Sequence, residues 1–197
     1  MVERRRQADR SQATRTALIA AARPLFADRG YAGVSTDDIV EAASVTRGAL
    51  YHHYKDKRDL FRAVYEQVEE DLMGRVVASL VGTRDVWKMF TKGLAAFLDE
   101  CLDPEVAKIA LIDAPAVLGW EEWREIDARY GLGLIVTALQ QGMDEGVIRK
   151  QPVDVMAQLV FGAMAEAALL IAHADDPKAA RASAEKALLG LLNGLRV

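Results

Sequence analysis

A cluster of charged, hydroxylated and aromatic residues fills the stretch SVTRGALYHHYKDK, residues 44–57. It combines an arginine, a glycine, two tyrosines, two histidines and two lysines in a chain whose formal net charge is −4. Residues of these types can bind a metal ion, transfer protons in catalysis, form a solvated helix face, or contact a phosphate backbone. The positions of the side chains on a helix decide which of the four applies.

The two adjacent histidines, His52 and His53, are poorly placed for metal binding. Neighbouring residues on a helix point about 100° apart, so the two rings do not share one face. The chain contains no HExxH motif, no glycine-rich phosphate loop and no recognisable pairing of a nucleophile with a base. Its three histidines leave little material for general-base catalysis. We therefore expect no metal, no cofactor and no enzymatic activity.

The elements that carry the cluster are predicted to be helices. A first helix begins at Thr14, and Ser35 followed by two aspartates marks the start of a short helix over 36–43. A third helix covers residues 46–54 after a tight turn. Two short helices that follow a supporting helix form a helix-turn-helix, which places its last helix in the major groove of DNA.

The third helix has an inward and an outward face. Leu50 and Tyr54 lie one turn apart and point toward the core. Arg47, at the edge of the opposite face, can donate two hydrogen bonds to guanine, and Gly48 permits close backbone approach. Further groups suited to phosphate contact are the helix N-terminus at Thr46, the side chains of Tyr51 and His52, and the ammonium of Lys57.

Charge is distributed unevenly along the chain. Residues 1–62 contain 12 Lys/Arg and 8 Asp/Glu, giving +4, whereas residues 63–197 contain 13 and 21, giving −8. This asymmetry indicates that only the front of the chain meets a polyanion.

Composition favours an all-helical protein with a sizeable core. Hydrophobic residues make up 51% of the chain, while aromatics and prolines are few. The single Cys101 excludes an internal disulfide framework and suits a reducing cytoplasm, where we expect the protein to reside. The apolar stretch 153–174 is interrupted by polar residues, so we expect a helix buried in protein rather than in a membrane. No signal peptide is predicted.

The run GYAGVSTDDIVEAASVTRGALYHHYKDKRDLF, residues 30–61, resembles the DNA-binding half of the TetR family of transcriptional regulators. The resemblance covers about residues 14–62, including the LF pair ahead of the run. It implies a helical homodimer whose C-terminal domain dimerises and often binds a small ligand. It also implies that the residues touching DNA are Thr36, Thr46, Arg47, Gly48, Ala49, Tyr51, His52, His53 and Lys57.

Three segments are predicted: a flexible basic arm at 1–13, a DNA-binding domain at 14–62, and a helical ligand-binding and dimerisation domain at 63–197. In the last of these, aromatic and apolar residues are candidates for lining a ligand pocket, although each aromatic alone is more often plain core. Asp113, on an otherwise apolar face, either orients a ligand or reaches solvent. The pocket candidates are Trp87, Phe90, Leu94, Phe97, Asp113, Trp120, Trp123 and Tyr130.

A stripe of mostly small residues predicts the dimer interface. The helix that begins at Pro152 carries a second apolar face, offset by about 100° from its bulkier one. Small residues let two helices approach closely, and the last helix offers a matching stripe. The predicted interface residues are Ala157, Phe161, Ala165, Ala168, Ala172, Ala184, Leu188 and Leu191.

These observations predict an all-α protein: a three-helix helix-turn-helix domain followed by a helical ligand-binding and dimerisation domain. The predicted function is a DNA-binding transcriptional regulator, a ligand-responsive repressor that acts as a homodimer on a near-palindromic operator. Its partners would be double-stranded DNA, a second copy of the chain and a small, partly hydrophobic ligand, with no membrane. The alternative is a helical small-molecule-binding protein without DNA-binding function.

Overall fold

The computed structural model describes residues 2–197, with side chains described from residue 11 onward. A π-helix over Ala107–Asp113 joins two short helices. Among residues 2–197, the strand-like pairing consists of one isolated bridge between Ile148 and Arg196. The predicted all-α class is therefore confirmed. The α-helices are α1 Val2–Arg29, α2 Thr36–Ala42, α3 Arg47–His53, α4 Lys57–Ser79, α5 Val86–Glu100, α6 Pro104–Val106, α7 Ala114–Leu118, α8 Trp120–Asp144, α9 Val153–Ala172 and α10 Pro177–Asn193.

Local capping sets the starts of the helix-turn-helix. The Ser35 hydroxyl accepts a hydrogen bond from the Asp38 N–H at 3.1 Å, and the Asp38 carboxylate accepts from the Ser35 N–H at 2.8 Å. This reciprocal capping box satisfies two backbone donors at the start of α2. The Thr46 hydroxyl caps α3 in the same manner, accepting from the Ala49 N–H at 3.2 Å. Between the helices, Ser44 adopts a left-handed conformation with φ 54°, which makes the turn tight.

The first helix begins earlier than the apolar pattern predicts. It starts at Val2 rather than at Thr14, because residues 2–13 are mostly Glu, Arg, Gln and Ala, which favour helix without any apolar stripe. The side chains of residues 1–10, including the arm arginines, lie outside the described residues.

One core runs through both halves of the molecule along α4. At its N-terminal end, Leu60 and Phe61 are fully buried where α4 packs against α1, and the rings of Phe61 and Phe26 meet edge to face at 5.1 Å. Further along α4, Val68 and Val76 are buried among the C-terminal helices. The same helix therefore contributes to the core in both halves of the molecule.

The C-terminal helices form a bundle in which α9 packs against α8 and α10, while α5 packs against α4. Within the described residues, α9 is the one helix long and apolar enough to cross a membrane by length and composition. A core helix of a folded bundle passes the same test, and the packing of α9 between its neighbours matches that reading.

Candidate nucleic-acid interface and ligand cavity

The outward face of α3 is exposed, as its sequence predicts. The Arg47 side chain is 59% exposed, and its Nη1 lies 3.2 Å from Oδ1 of Asp37 on α2. Its guanidinium lies 5.8 Å from the centre of the Tyr51 ring. Hydrogen bonding of the Tyr51 phenol to Arg47, and then to Thr36, lowers the pKa of that phenol. Arg47 is thus held at the surface by a weak, solvent-screened ion pair that a stronger acceptor can replace.

Gly48 has open space beside it. A Cβ atom at this position would have the Thr46 Oγ1 as its nearest neighbour, at 3.9 Å, which is ordinary contact. Glycine in a helix interior destabilises the helix by about 1 kcal/mol relative to alanine. The fold therefore gives no reason for glycine here, whereas close approach of an external backbone does.

The inward face of α3 is also confirmed. Leu50 and Tyr54 are buried in the core formed with α1 and α4. On the outer side, His52 is exposed and His53 is half-buried, with ring centres 5.0 Å apart and planes at 75°. Burial lowers the pKa of His53, and the neighbouring His52 adds to this effect. No group of three metal-ligating side chains occurs among the residues whose side chains are described.

Thr36 and Ala49, the remaining predicted contacts, are half-buried at the edge of this surface. Lys57 requires a correction, because its ammonium is not a free surface charge. It donates hydrogen bonds to the carbonyl oxygens of Tyr31 and Val34, both at 2.8 Å, and lies 4.0 Å from the centre of the Tyr31 ring. Burial lowers its pKa. Lys57 therefore fastens the loop between α1 and α2, and one of its three N–H groups is left for a phosphate.

Asp113 lies at the junction between the two halves, not in a ligand pocket. Its Oδ2 accepts from the backbone N–H of Tyr31 at 2.7 Å, and its Oδ1 lies 3.1 Å from Lys108 Nζ. Gly30 fits beneath this pair: it has φ +69°, and a Cβ there would come within 2.6 Å of the Lys108 side chain. The Tyr31 peptide is thus held through its N–H by the C-terminal helices and through its carbonyl by Lys57.

Two arginines strengthen the same junction. Arg23 of α1 pairs with Asp71 of α4 and with Glu105 of α6, the latter at 2.7 Å. Arg58 donates to the carbonyl oxygen of Leu118 at 2.9 Å and pairs with Glu122 at 2.6 Å. Several polar contacts therefore join the C-terminal helices to α1 and to the start of α4.

An apolar cavity of about 190 Å³ lies between α4, α5, α8 and α9, and Leu192 of α10 also lines it. Three of the predicted pocket residues, Phe90, Leu94 and Phe97, line it from α5. The other residues that line the cavity were not among those predicted from the sequence. They include Met73 and Val76 of α4 with Leu80 directly after it, Gly131 and Ile135 of α8, and Phe161 and Met164 of α9. One sequence feature that indicates a wall position is a glycine within a long helix. A Cβ atom at Gly131 would lie 3.3 Å from the Phe161 ring, so the glycine leaves room for that ring.

The remaining aromatic candidates do not line this cavity. Trp87 packs against Phe90 from outside, and Arg196 lies over its ring. Trp120 is 59% exposed, whereas Trp123 is buried and donates its indole N–H to the Ala110 carbonyl at 2.9 Å. Tyr130 borders a separate, more polar cleft between α1, α4 and α8. The prediction that these four aromatic residues line the ligand pocket is therefore wrong for this cavity.

A pair of acidic residues includes one carboxyl in the cavity wall and a second one buried close to it. Asp127 of α8 lines the cavity, and Glu69 of α4 is only 6% exposed. Burial raises the pKa of Glu69 to about 8, and the charge of Asp127 adds to the shift. Burial also raises the pKa of Asp127, to about 6, although Arg124 opposes this with a contact of 3.3 Å.

The predicted dimer stripe on α9 is wrong. Ala157, Phe161, Ala165 and Ala168 are buried within the chain, and Phe161 and Ala165 face the cavity. Both apolar faces of α9 were visible in the sequence, but the small-residue face packs on the neighbouring helix α8 rather than on a second copy. Of the other predicted residues, Leu188 is buried, Ala172 and Ala184 are half-buried, and Leu191 is exposed.

An exposed recognition helix, supported by a capped helix-turn-helix and backed by a helical bundle with a cavity, defines a DNA-binding regulator of the helix-turn-helix class. Family models agree with this class in both halves. The model described as bacterial regulatory proteins, tetR family, matches residues 18–64, and a tetracyclin repressor-like C-terminal domain matches residues 87–195.

Individual relatives agree with the family models. A solved TetR-family transcriptional regulator from Pectobacterium atrosepticum is 37% identical with a TM-score of 0.86, over 96% of this chain and 97% of that one. The transposon Tn10 TetC protein of Escherichia coli is 27% identical over 82% of each chain. The regulator CymR of Pseudomonas putida is 35% identical over 50% of each. The chain belongs to the TetR family of transcriptional regulators, and the resemblance seen in residues 30–61 is confirmed.

Proposed function

We propose that this regulator is a cytoplasmic, ligand-responsive repressor that acts as a homodimer on a near-palindromic operator and catalyses no reaction. The observation that supports DNA binding is the exposed face of α3. On this face Arg47 and Tyr51 lie beside Gly48, a glycine that the packing of the fold does not require. We also propose that the DNA-binding domain ends at residue 62 and the ligand-binding and dimerisation domain begins at residue 63, a boundary that lies within α4.

A second copy of the chain is proposed to cover the exposed apolar side of α9 and α10. Val155, Leu159 and Leu170 lie on one side of α9, and each is more than half exposed. Leu191 of α10 is 67% exposed. Large apolar side chains grouped on two neighbouring helices mark an interface, and two such helices from each subunit make a two-fold, four-helix contact.

Ligand control is proposed to act through α4. The cavity touches this helix at Met73 and Val76, while the start of the same helix fastens the Tyr31 loop through Lys57. A ligand that displaces α4 changes the distance between the two recognition helices of a dimer. Because half-sites one turn apart are separated by about 34–36 Å, a few ångströms of change weaken operator binding. Loss of binding frees a promoter that the dimer otherwise blocks.

The test of this function combines DNA binding with sedimentation. We expect the protein to shift the fluorescence anisotropy of a labelled fragment from its own upstream region far more than that of a scrambled fragment. Leu191→Arg should give monomers in sedimentation velocity and lose operator binding, although Leu191 is far from α3 along the chain. Val81→Arg is the matched control, because Val81 is an exposed valine outside the proposed interface. Equal binding to both fragments would support the helical small-molecule-binding alternative, and a dimeric Leu191→Arg variant would place the interface elsewhere.

A further inference from the structure

The walls of the cavity are apolar at all but a few positions, and these differ in what they can offer. Its polar lining residues are Asp127, Thr137 and Gln141. The Thr137 hydroxyl already donates to the Gly133 carbonyl at 2.9 Å, and the Gln141 amide donates to Glu145 at 2.8 Å. Asp127 is therefore the group that presents a charge to a molecule inside the cavity.

The surroundings of Asp127 contain more acid than base. Glu69 and Tyr65 face it from α4, and burial raises the pKa of both groups. From the end of α5, the Cys101 thiol has a pKa raised by burial and by the acidic groups around it, including Asp99 and Glu100. Asp99 and Glu100 are themselves paired with Arg181 and Arg75, at 2.8 Å and 2.6 Å.

Arg124 is the base that compensates the buried pair. It contacts Asp127 at 3.3 Å, and its guanidinium lies 4.3 Å from the centre of the Phe161 ring. One guanidinium neutralises one carboxylate, so the second carboxyl, Glu69, stays protonated in the empty cavity. A second positive charge beside this pair would allow both carboxyls to ionise.

We propose that the regulatory ligand is a small hydrophobic amine or related organic cation, whose charged end docks against Asp127 while its apolar body fills the cavity. This assignment rests on the proposed function of the cavity as the inducer site. Among the described residues that line it there is no arginine, lysine or histidine, and the nearby Arg124 is already paired with Asp127, so a carboxylate ligand would meet an acidic wall.

Proton release accompanies binding in this arrangement. The cation approaches Asp127 and Glu69, the Glu69 carboxyl loses its proton to solvent, and the bound site holds two carboxylates against Arg124 and the ligand. Glu69 lies on α4 between the cavity wall at Met73 and the helix-turn-helix. Ionisation of this carboxyl therefore changes the packing of the helix that joins the cavity to the DNA-binding domain.

Three probes of matched shape test the assignment: 4-tert-butylbenzylamine, 4-tert-butylbenzyl alcohol and 4-tert-butylbenzoate, titrated into the full-length protein by calorimetry. We expect the amine to bind at least tenfold more tightly than the alcohol, and the benzoate to bind most weakly. Between pH 6 and 8, where the amine stays charged, its affinity should rise with pH, and the alcohol's should not. Titration in buffers of different ionisation enthalpy should reveal proton release with the amine alone.

Variants locate the contact. Asp127→Asn should reduce amine affinity at least tenfold while leaving alcohol affinity unchanged, and Glu69→Gln should remove the pH dependence. Asp144→Asn is the matched control, because it makes the same change at an exposed position of α8 outside the cavity, and it should leave amine affinity unchanged. Melting curves without probe check that each variant is folded. If Asp127→Asn does not fold, the alcohol-to-amine affinity ratio in the unaltered protein decides.

Equal affinities for the amine and the alcohol would overturn the proposal, as would tighter binding of the benzoate or failure of all three probes to bind. Operator binding, measured in the same samples by anisotropy, separates this result from the proposed function. A protein that binds its operator and ignores the amine is a repressor with a different ligand. A protein that binds the amine and no DNA retains the cation site but not the repressor function.

Discussion

The recognition surface and the ligand cavity differ in how far apart in sequence their parts lie. The surface is formed by α2, α3 and the turn between them, so its contacts are set by capping residues three positions apart and by the helical period. The cavity is formed by five helices whose wall residues range from Met73 to Leu192. A local surface follows from local rules, whereas a cavity depends on how long helices rotate against one another.

The largest expected effect breaks the inner face of α3. Leu50→Asp places an unpaired charge in a fully buried position, and we expect a loss of more than about 4 kcal/mol of stability, enough to unfold the DNA-binding domain. Thermal melting by circular dichroism measures it. His52→Asp, on the exposed face two residues away, should melt like the unaltered protein. An unchanged melting curve for Leu50→Asp would show that the face assignment is wrong.

Next in size is the loss of base reading. Arg47→Ala should reduce discrimination between operator and scrambled DNA by about 1–3 kcal/mol, because a bidentate contact to guanine is removed. Its fold should be retained, since the Asp37 pair is exposed and contributes little. Competition anisotropy at fixed salt is the measurement. Retained selectivity would move base reading to another residue of the outward face.

A third prediction concerns the cavity and its dependence on pH. Folded Glu69 keeps its proton up to about pH 8, whereas the reference value for an unperturbed glutamate is 4.5. The folded state therefore binds more protons between these values, so stability falls as pH rises, by at most about 1.4 kcal/mol per pH unit. Urea unfolding at pH 6, 7 and 8 should show this slope, and Glu69→Gln should reduce it. Parallel slopes for both proteins would refute the buried, protonated state.

The smallest effect sharpens the account of Gly48. Gly48→Ala should stabilise the free protein by about 0.5–1 kcal/mol, because alanine favours helix and its Cβ meets no close neighbour. The same variant should bind operator more weakly. Gly30→Ala is the contrasting variant: the Cβ clash with Lys108 and the positive φ predict destabilisation. A Gly48→Ala variant with full operator affinity would leave the glycine unexplained.

The sequence was sufficient for the recognition helix because each inference there used short-range rules. The helical period put Leu50 and Tyr54 inside, and the cap at Ser35 and the helix start at Thr46 agree with the structure. Lys57 was the exception, since its acceptors are carbonyl oxygens more than twenty residues earlier, which no local pattern indicates.

The cavity and the dimer stripe could not be predicted in the same way. Trp123 and Phe97 are both large aromatics on amphipathic helices, yet one fills the core and donates to Ala110 while the other lines the cavity. On α9, two apolar faces have similar period and composition. Only the rotation of α9 against α8 decides that Ala157 faces inward while Leu159 faces outward.

The length of α4 determines how far its N-terminal end moves when the helix rotates at the cavity. From Val76 at the cavity to Lys57 is about 28 Å of continuous helix at a rise of about 1.5 Å per residue. A rotation of about 5° about the cavity end moves the other end by about 2–3 Å over this helical length. In the proposed homodimer, two-fold symmetry would apply the same rotation in the opposite sense to the partner, so the separation of the two recognition helices would change by about twice that distance. In the proposed mechanism, the length of α4 therefore amplifies a small movement at the cavity into a larger displacement of the recognition helix, which no longer fits half-sites one turn of DNA apart.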